Sequence, residues 1–317
     1  MKKALIVGIN YYEHHESLEG CVNDAYAMNA VLERHSDNTI NFDTRLLTTT
    51  RKEGEIVRGS LKHQIKQLFT DESDIALYYF SGHGHIESTG GYLMTSECDD
   101  GDEGMSMNEL MDMVNESPAK NKIVILDCCH SGILGNPKIA EDKATLSKGT
   151  TIITASSAKQ YAFEKNGSGV FTNLLVDALN GSAANLTGDI TPGSIYAHID
   201  QSLGPWQQRP IFRANIENFI SLRKVPSPIE FKNLLRITAL FKEKNSEFIL
   251  DPTYEPTAEN ASKENTEKFA ILQKYNRVNL VVPVGAAHMY DAAMESKSCV
   301  LTVLGRYYWK LVKSKRL

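Results

Sequence analysis

Two apolar runs in this chain stop abruptly, and both stop at chemistry. Ile75-Ala76-Leu77-Tyr78-Tyr79-Phe80 gives way to Ser81-Gly82-His83-Gly84. Lys122-Ile123-Val124-Ile125-Leu126 gives way to Asp127-Cys128-Cys129-His130-Ser131-Gly132. Short runs without polar alternation predict strands buried on both faces. The same reading predicts strands over 3–9, 44–48, 74–80, 122–128 and 149–155, with a late strand near Pro210-Ile211-Phe212. Between them, apolar positions recur at helical spacing over 23–35, 54–69, 106–115, 169–180 and 192–202. Strands alternating with amphipathic helices predict an α/β fold: a mainly parallel, six-stranded sheet with helices on both faces.

The pattern breaks at Lys224-Val225-Pro226-Ser227-Pro228, which reads as a boundary between a domain over 1–223 and a second over 228–317. In the second, Phe231 to Lys244 is amphipathic, with Leu234, Leu235, Thr238, Leu240 and Phe241 near helical spacing. Residues 251–266 are polar and read as a loop or linker. Helical signals return over Phe269-Ala270-Ile271-Leu272, Ala286 to Lys297 and Leu301 to Val312, with a strand signal over Val278 to Val282. The expectation is a small α-rich domain.

Composition narrows the classes. A chain of 317 residues exceeds the usual single core and fits two domains. A net charge of −5 gives no general pull toward nucleic acid or membrane. Five cysteines are an odd set without paired spacing, so no disulfide framework is expected and a reducing cytoplasm fits. The apolar run Ala4 to Ile9 is too short for a secretory leader, and no stretch is long enough to span a membrane.

Two buried strands thus deliver an imidazole, His83, and a thiol to their carboxyl ends, the edge where sites form in open α/β sheets. A thiol beside an imidazole is the minimum for cysteine nucleophilic catalysis, because the imidazole takes the thiol proton. Strand alternation puts Cys129 on the face of Asp127 and turns Cys128 to the other side, where a small buried hydrophobe fits. A zinc site from His83, His85, Cys128 and Cys129 is a rival. Adjacent cysteines argue against it, since structural zinc sites space paired ligands by two to four residues.

These motifs resemble the caspase and metacaspase clan of cysteine peptidases, the bacterial metacaspase-like branch in particular. Ala4-Leu5-Ile6-Val7-Gly8-Ile9-Asn10-Tyr11-Tyr12 is similar to its first strand, and Leu18-Glu19-Gly20-Cys21-Val22-Asn23-Asp24-Ala25 to its first helix entry. Ser81-Gly82-His83-Gly84 and Asp127-Cys128-Cys129-His130-Ser131-Gly132 match the histidine and cysteine motifs, in the His-before-Cys order at close to the ~50-residue caspase spacing. The resemblance continues through Ala155-Ser156-Ser157 and Gly169-Val170-Phe171-Thr172 and covers roughly residues 1–223.

It implies Cys129 as nucleophile, His83 as general base and acid, and the backbone N–H groups of Gly84 and Cys129 as oxyanion donors. It also implies Asp24 and Asp127, with Ser156 as a wall, as an S1 pocket for Arg or Lys; for Asp24, an N-cap of the helix over 25–35 is the competing role. Protein substrates follow, and the polar loop over 133–148 is a place for gating or self-cleavage. In some metacaspases, acids near Asp99, Asp100, Asp102 and Glu103 bind activating Ca²⁺. The EF-hand pattern is absent, and Asn136 stands where the family tends to carry an acid. The run reads as a solvated loop, and no cofactor or metal is expected.

The second domain ends in five basic residues without an acid from Val300 to Leu317. Arg306, Tyr307, Tyr308, Trp309 and Lys310, joined by Arg277 and His288, combine phosphate-pairing cations with stackable rings. The competing role of these aromatics is core packing. The expectation is a cytoplasmic endopeptidase gated by its C-terminal domain. By resemblance to bacterial caspase-like immune effectors, it would answer a cyclic nucleotide or ADP-ribose-derived signal in antiviral defence, with no membrane or nucleic-acid partner. The rivals are a catalytically idle caspase-fold scaffold and a DNA-binding regulator acting through the C-terminal module.

Overall fold

The computed structural model describes residues 1–87, 89–99, 104–128, 145–155, 169–204 and 209–317. Cys129, His130, Asn136, Ser156, Asp100, Asp102 and Glu103 lie outside the described residues, as does most of the 133–148 loop. Packing divides the chain into Met1–Val225 and Pro226–Leu317.

In the first unit the elements run β1 (Lys2–Ile9), α1 (Cys21–Glu33), β2 (Asp43–Thr49), α2 (Arg58–Thr70), β3 (Ile75–Ser81), β4 (Gly84–Glu87), β5 (Gly90–Leu93), β6 (Met105–Ser106), α3 (Met107–Glu116), β7 (Lys122–Asp127), β8 (Thr150–Thr154), α4 (Val170–Asp177), β9 (Asp189–Ile190), α5 (Pro192–Ser202), β10 (Ile211–Asn215) and β11 (Arg223–Lys224). Among the described residues the main sheet has the order β10-β8-β7-β3-β1-β2. All neighbours are parallel except β10, which runs antiparallel to β8. β3 and β7 are buried at every position, as the apolar runs 75–80 and 123–126 require, and the burial extends to the polar ends Ser81, Lys122 and Asp127.

Strand alternation sends the apolar side chains to two cores. Ile6, Leu77, Tyr79, Ile123, Ile125 and Ile153 meet α1, α4 and α5 on one face. Val7, Tyr78, Phe80, Val124, Leu126 and Cys128 meet α2 and α3 on the other. Two smaller sheets, β4-β5-β6 and β9-β11, decorate this frame. They escape sequence reading because strands of two to four residues, rich in glycine and charge, carry no measurable alternation.

The second unit contains α6 (Phe231–Leu235), α7 (Ile237–Leu240), β12 (Glu247–Ile249), α8 (Lys263–Arg277), β13 (Val281–Val284), α9 (Met289–Met294), β14 (Ser298–Leu301) and α10 (Val303–Lys313). Helices dominate it, around an antiparallel sheet of order β12-β14-β13. Residues 251–266 are folded: Asp251 caps a single 3-10 turn at Thr253, Glu255 is buried, and α8 starts at Lys263. The strand expected over 278–282 lies instead at Val281–Val284 and includes Pro283. A proline fits there because β13 is an edge strand, where a missing N–H costs no ladder bond.

Candidate active site

The sheet order fixes where a site can form. From β1 the chain moves outward to β2, then returns past β1 to β3, so the strand order reverses between β1 and β3. Ligands in open α/β sheets sit outside the carboxyl ends at such a reversal. The register pairs Gly8 with Ser81 and Ser81 with Asp127. The ends of β1, β3 and β7 are therefore level, and their following loops share one rim.

His83 stands on this rim directly after β3, and it is held at three points. Its backbone N–H donates to the Tyr12 hydroxyl at 2.7 Å. Its ring packs against the Tyr12 ring, with centroids 4.6 Å apart and planes tilted by 53°. Its Nε2 lies 2.8 Å from the Glu16 carbonyl oxygen. A carbonyl only accepts, so Nε2 carries a proton here, which leaves Nδ1 as the nitrogen that can take one when the ring is neutral. Burial raises the Tyr12 phenol well above its usual range, so it stays protonated.

The loop supplying Glu16 is itself pinned. The Asn10 side chain donates to Glu19 O at 3.1 Å and accepts from Val22 N–H at 3.0 Å, and Asn10 O accepts from Leu18 N–H at 2.9 Å. Gly84 follows His83 and opens β4, where it pairs with Leu93.

The two nominated carboxylates converge beside this rim. α1 comes unusually close to β1, because Gly8 has no side chain: a Cβ there would lie 2.4 Å from Cys21 O and 2.7 Å from Ala25 Cβ. Asp24 is thereby pressed toward β3, at 1 % exposure. It does not cap α1, which starts at Cys21 after Gly20. Instead its carboxylate accepts from Gly169 N–H at 3.1 and 3.2 Å and from Ser81 Oγ at 3.3 Å. Asp127, 6 % exposed, ends β7. It accepts from Thr172 Oγ1 at 2.7 Å, and that hydroxyl is 2.6 Å from Tyr79 OH. Burial first, then the charges of Asp127 and Asp24, keep the Tyr79 phenol protonated, so it donates along this chain. Both acids face Gly169, whose Cβ, if present, would stand 2.4 Å from Asp127 Oδ2 and 3.0 Å from Asp24 Oδ2.

Other nominated residues separate. Cys128 is buried in the core with Tyr78 and Phe80, and His85 Nε2 turns to Glu87 at 2.6 Å. A zinc cluster with His83 gains nothing from either. In the second unit Tyr308 is buried and Trp309 Nε1 donates to Phe241 O at 2.7 Å, so both serve packing. Arg277 ends α8 and His288 precedes α9, each exposed. Arg306, Tyr307 and Lys310 alone among the seven line a common cleft.

Sequence reasoning assigned no role to Tyr12, Asn10, the Glu16 carbonyl, Tyr79 or Thr172. Asn10, Tyr12 and Thr172 stood in matched motifs, which was the available signal. A backbone carbonyl leaves no trace in residue type.

Known proteins bear on this arrangement. The Caspase domain family matches residues 1–220. Metacaspase-7 of Arabidopsis thaliana is 32% identical over 179 residues, covering 51% of this chain and 42% of that protein. Metacaspase-1 of Debaryomyces hansenii is 26% identical over 205 residues, covering 59% of this chain and 44% of that protein. The chain thus spans under half the length of these curated relatives. A solved Geobacter sulfurreducens structure aligns with a TM-score of 0.52 at 19% identity, over 71% of this chain and 97% of that one, a likeness of fold. The family match takes in more than half of the residues and includes both strand ends that carry His83 and Asp127, so this chain belongs to the caspase-domain family of cysteine peptidases.

Proposed function

We propose that the protein is a cysteine endopeptidase that cleaves after Arg or Lys and is gated by its C-terminal unit. The observation that carries this reading is the rim on which an imidazole anchored through Nε2 to the Glu16 carbonyl stands near two buried, converging carboxylates.

In the mechanism His83 takes the Cys129 thiol proton, and the thiolate attacks the scissile carbonyl carbon. The oxyanion is met by the backbone N–H groups of Gly84 and Cys129, which stabilise charge that exists only after attack. Collapse breaks the C–N bond, and His83 gives its proton to the leaving amine. Water, deprotonated by His83, then hydrolyses the thioester and regenerates the thiol. The Nε2–H bond to Glu16 holds the ring in the tautomer these transfers need.

Specificity follows from charge. Two carboxylates held close in a desolvated place repel each other, and a cationic P1 side chain offsets that cost. Ser156 would complete the pocket wall. Pro226–Leu317 would act as the sensor, answering an anionic, nucleotide-derived signal, with antiviral defence as the setting. A reducing cytoplasm suits the thiol. Among the described residues no helix is long and apolar enough to cross a membrane.

The test uses fluorogenic peptides with Arg, Lys or Asp at P1, with and without a nucleotide panel. Cleavage of the Arg and Lys peptides is expected, and Asp127→Asn should cut it by about 2–5 kcal/mol of transition-state binding, the scale for unpairing a buried charge. Preference for Asp at P1 would refute the pocket. Cleavage of nothing under any condition would favour the scaffold reading.

A further inference from the structure

A cleft of about 320 Å³ opens in the second unit between the turn after α7 and the outer face of α10. Its lining is Lys244, Asn245, Val303, Arg306, Tyr307 and Lys310, with no acid among them. The α10 residues recur at i, i+3, i+4 and i+7, so they share one face of the helix. The wall is fixed from behind: the Trp309 indole donates to Phe241 O at 2.7 Å, tying α10 to the segment that leads to Lys244. The Thr302 side chain caps the first turn at Gly305 N.

Two features make this lining chemically specific. Lys244, Arg306 and Lys310 form no ion pair with a carboxylate among the described residues, unlike Lys268 and Lys297 in the same unit. Three like charges around one cleft repel, and a bound polyanion relieves that repulsion while gaining charge-assisted hydrogen bonds. Tyr307 is 57% exposed, yet its ring is set edge-on to the buried Tyr308 at 5.9 Å and 87°. An aromatic ring so oriented beside cations offers a stacking platform.

We propose that this cleft binds a small ligand carrying at least two negative charges and a planar ring, the class of a nucleoside diphosphate. Arg306, Lys310 and Lys244 hold the phosphates, Tyr307 stacks on the base, and Asn245 supplies an amide for a polar edge. The inference rests on the reading of Pro226–Leu317 as a ligand-responsive unit.

Calorimetry on the full-length protein tests it with ADP, pyrophosphate and adenosine. ADP should bind more tightly than pyrophosphate, and adenosine should not bind measurably. Arg306→Gln and Lys310→Gln should each weaken ADP at least tenfold. Tyr307→Ala, at an exposed position, should weaken ADP and leave pyrophosphate unchanged. No binding of ADP or pyrophosphate at millimolar concentration, binding indifferent to these variants, or equal affinity for adenosine would each overturn the site. Peptide cleavage is read in parallel. Binding in the cleft without any change in cleavage sustains the site and removes the gating reading instead.

Discussion

At the residue scale the two adjacent cysteines make the sharpest contrast. Cys128 packs with Tyr78, Phe80 and Leu126 at 1 % exposure. Truncating it removes one buried sulfur, so Cys128→Ala should cost about 1 kcal/mol of stability in urea unfolding and leave peptide cleavage near wild type. Cys129→Ala should abolish cleavage with the unfolding midpoint unchanged; full activity in that variant would end the assignment. Tyr12 is the next test. Tyr12→Phe keeps the ring against His83 and deletes only the acceptor for its backbone N–H. The expected result is a kcat lowered about tenfold, equivalent to about 1.4 kcal/mol, with KM unchanged, because the imidazole loses its placement and the substrate pocket does not. A rise in KM with kcat intact would assign Tyr12 to substrate binding.

At the element scale the rim that carries His83, Asp24 and Asp127 depends on how closely α1 approaches the sheet. The contact at Gly8 brings the third residue after Cys21 to the end of β3. Gly8→Ala would set a Cβ against the Cys21 carbonyl, a backbone atom that cannot swing away. The expected cost is about 1–3 kcal/mol of folding stability by urea titration, the range for overpacking, with Arg-peptide cleavage falling as Asp24 moves. An unchanged midpoint would show that α1 is free to shift.

This dependence also explains what sequence could and could not give. β1, β3 and β7 were legible because each carries a continuous apolar run with a clear stop, and β8 because its threonines and isoleucines are all β-branched. The positions of His83 and Asp127 followed directly from those stops. Asp24 was nominated for the S1 pocket through the motif resemblance, with a helix cap as its rival role; its Gly169 and Ser81 partners were not legible, because tertiary packing sets them. The helical pattern over 231–244 splits into α6 and α7, with Arg236 at the joint. β12 and β14 were missed for the same reason as β4 to β6: three or four residues give too few turns of any period to read.

At the scale of the whole molecule, each unit has its own interior. Both cores of the main sheet lie wholly within Met1–Val225, and β11 closes this unit by pairing with β9 just before Pro226. Leu234, Phe241, Phe269, Tyr275, Leu280 and Cys299 are buried in the second unit, where Tyr275 OH donates to Asn233 O at 2.5 Å. Residues 1–225 should therefore unfold cooperatively when expressed alone, with near-wild-type resistance to urea. That separability is what makes gating testable. A ligand shifts an inactive–active equilibrium only through a difference in its affinity for the two states. If that difference resides in the second unit, deleting residues 226–317 removes it, whatever the basal level of the remaining enzyme. Cleavage of Arg peptides by the fragment should then be the same with and without ADP or cyclic ADP-ribose isomers, while full-length cleavage responds to the activating ligand. A fragment that still responds would place the sensor within the caspase-like unit. A full-length protein indifferent to every nucleotide, and matched in activity by the fragment, would make Pro226–Leu317 a structural appendage.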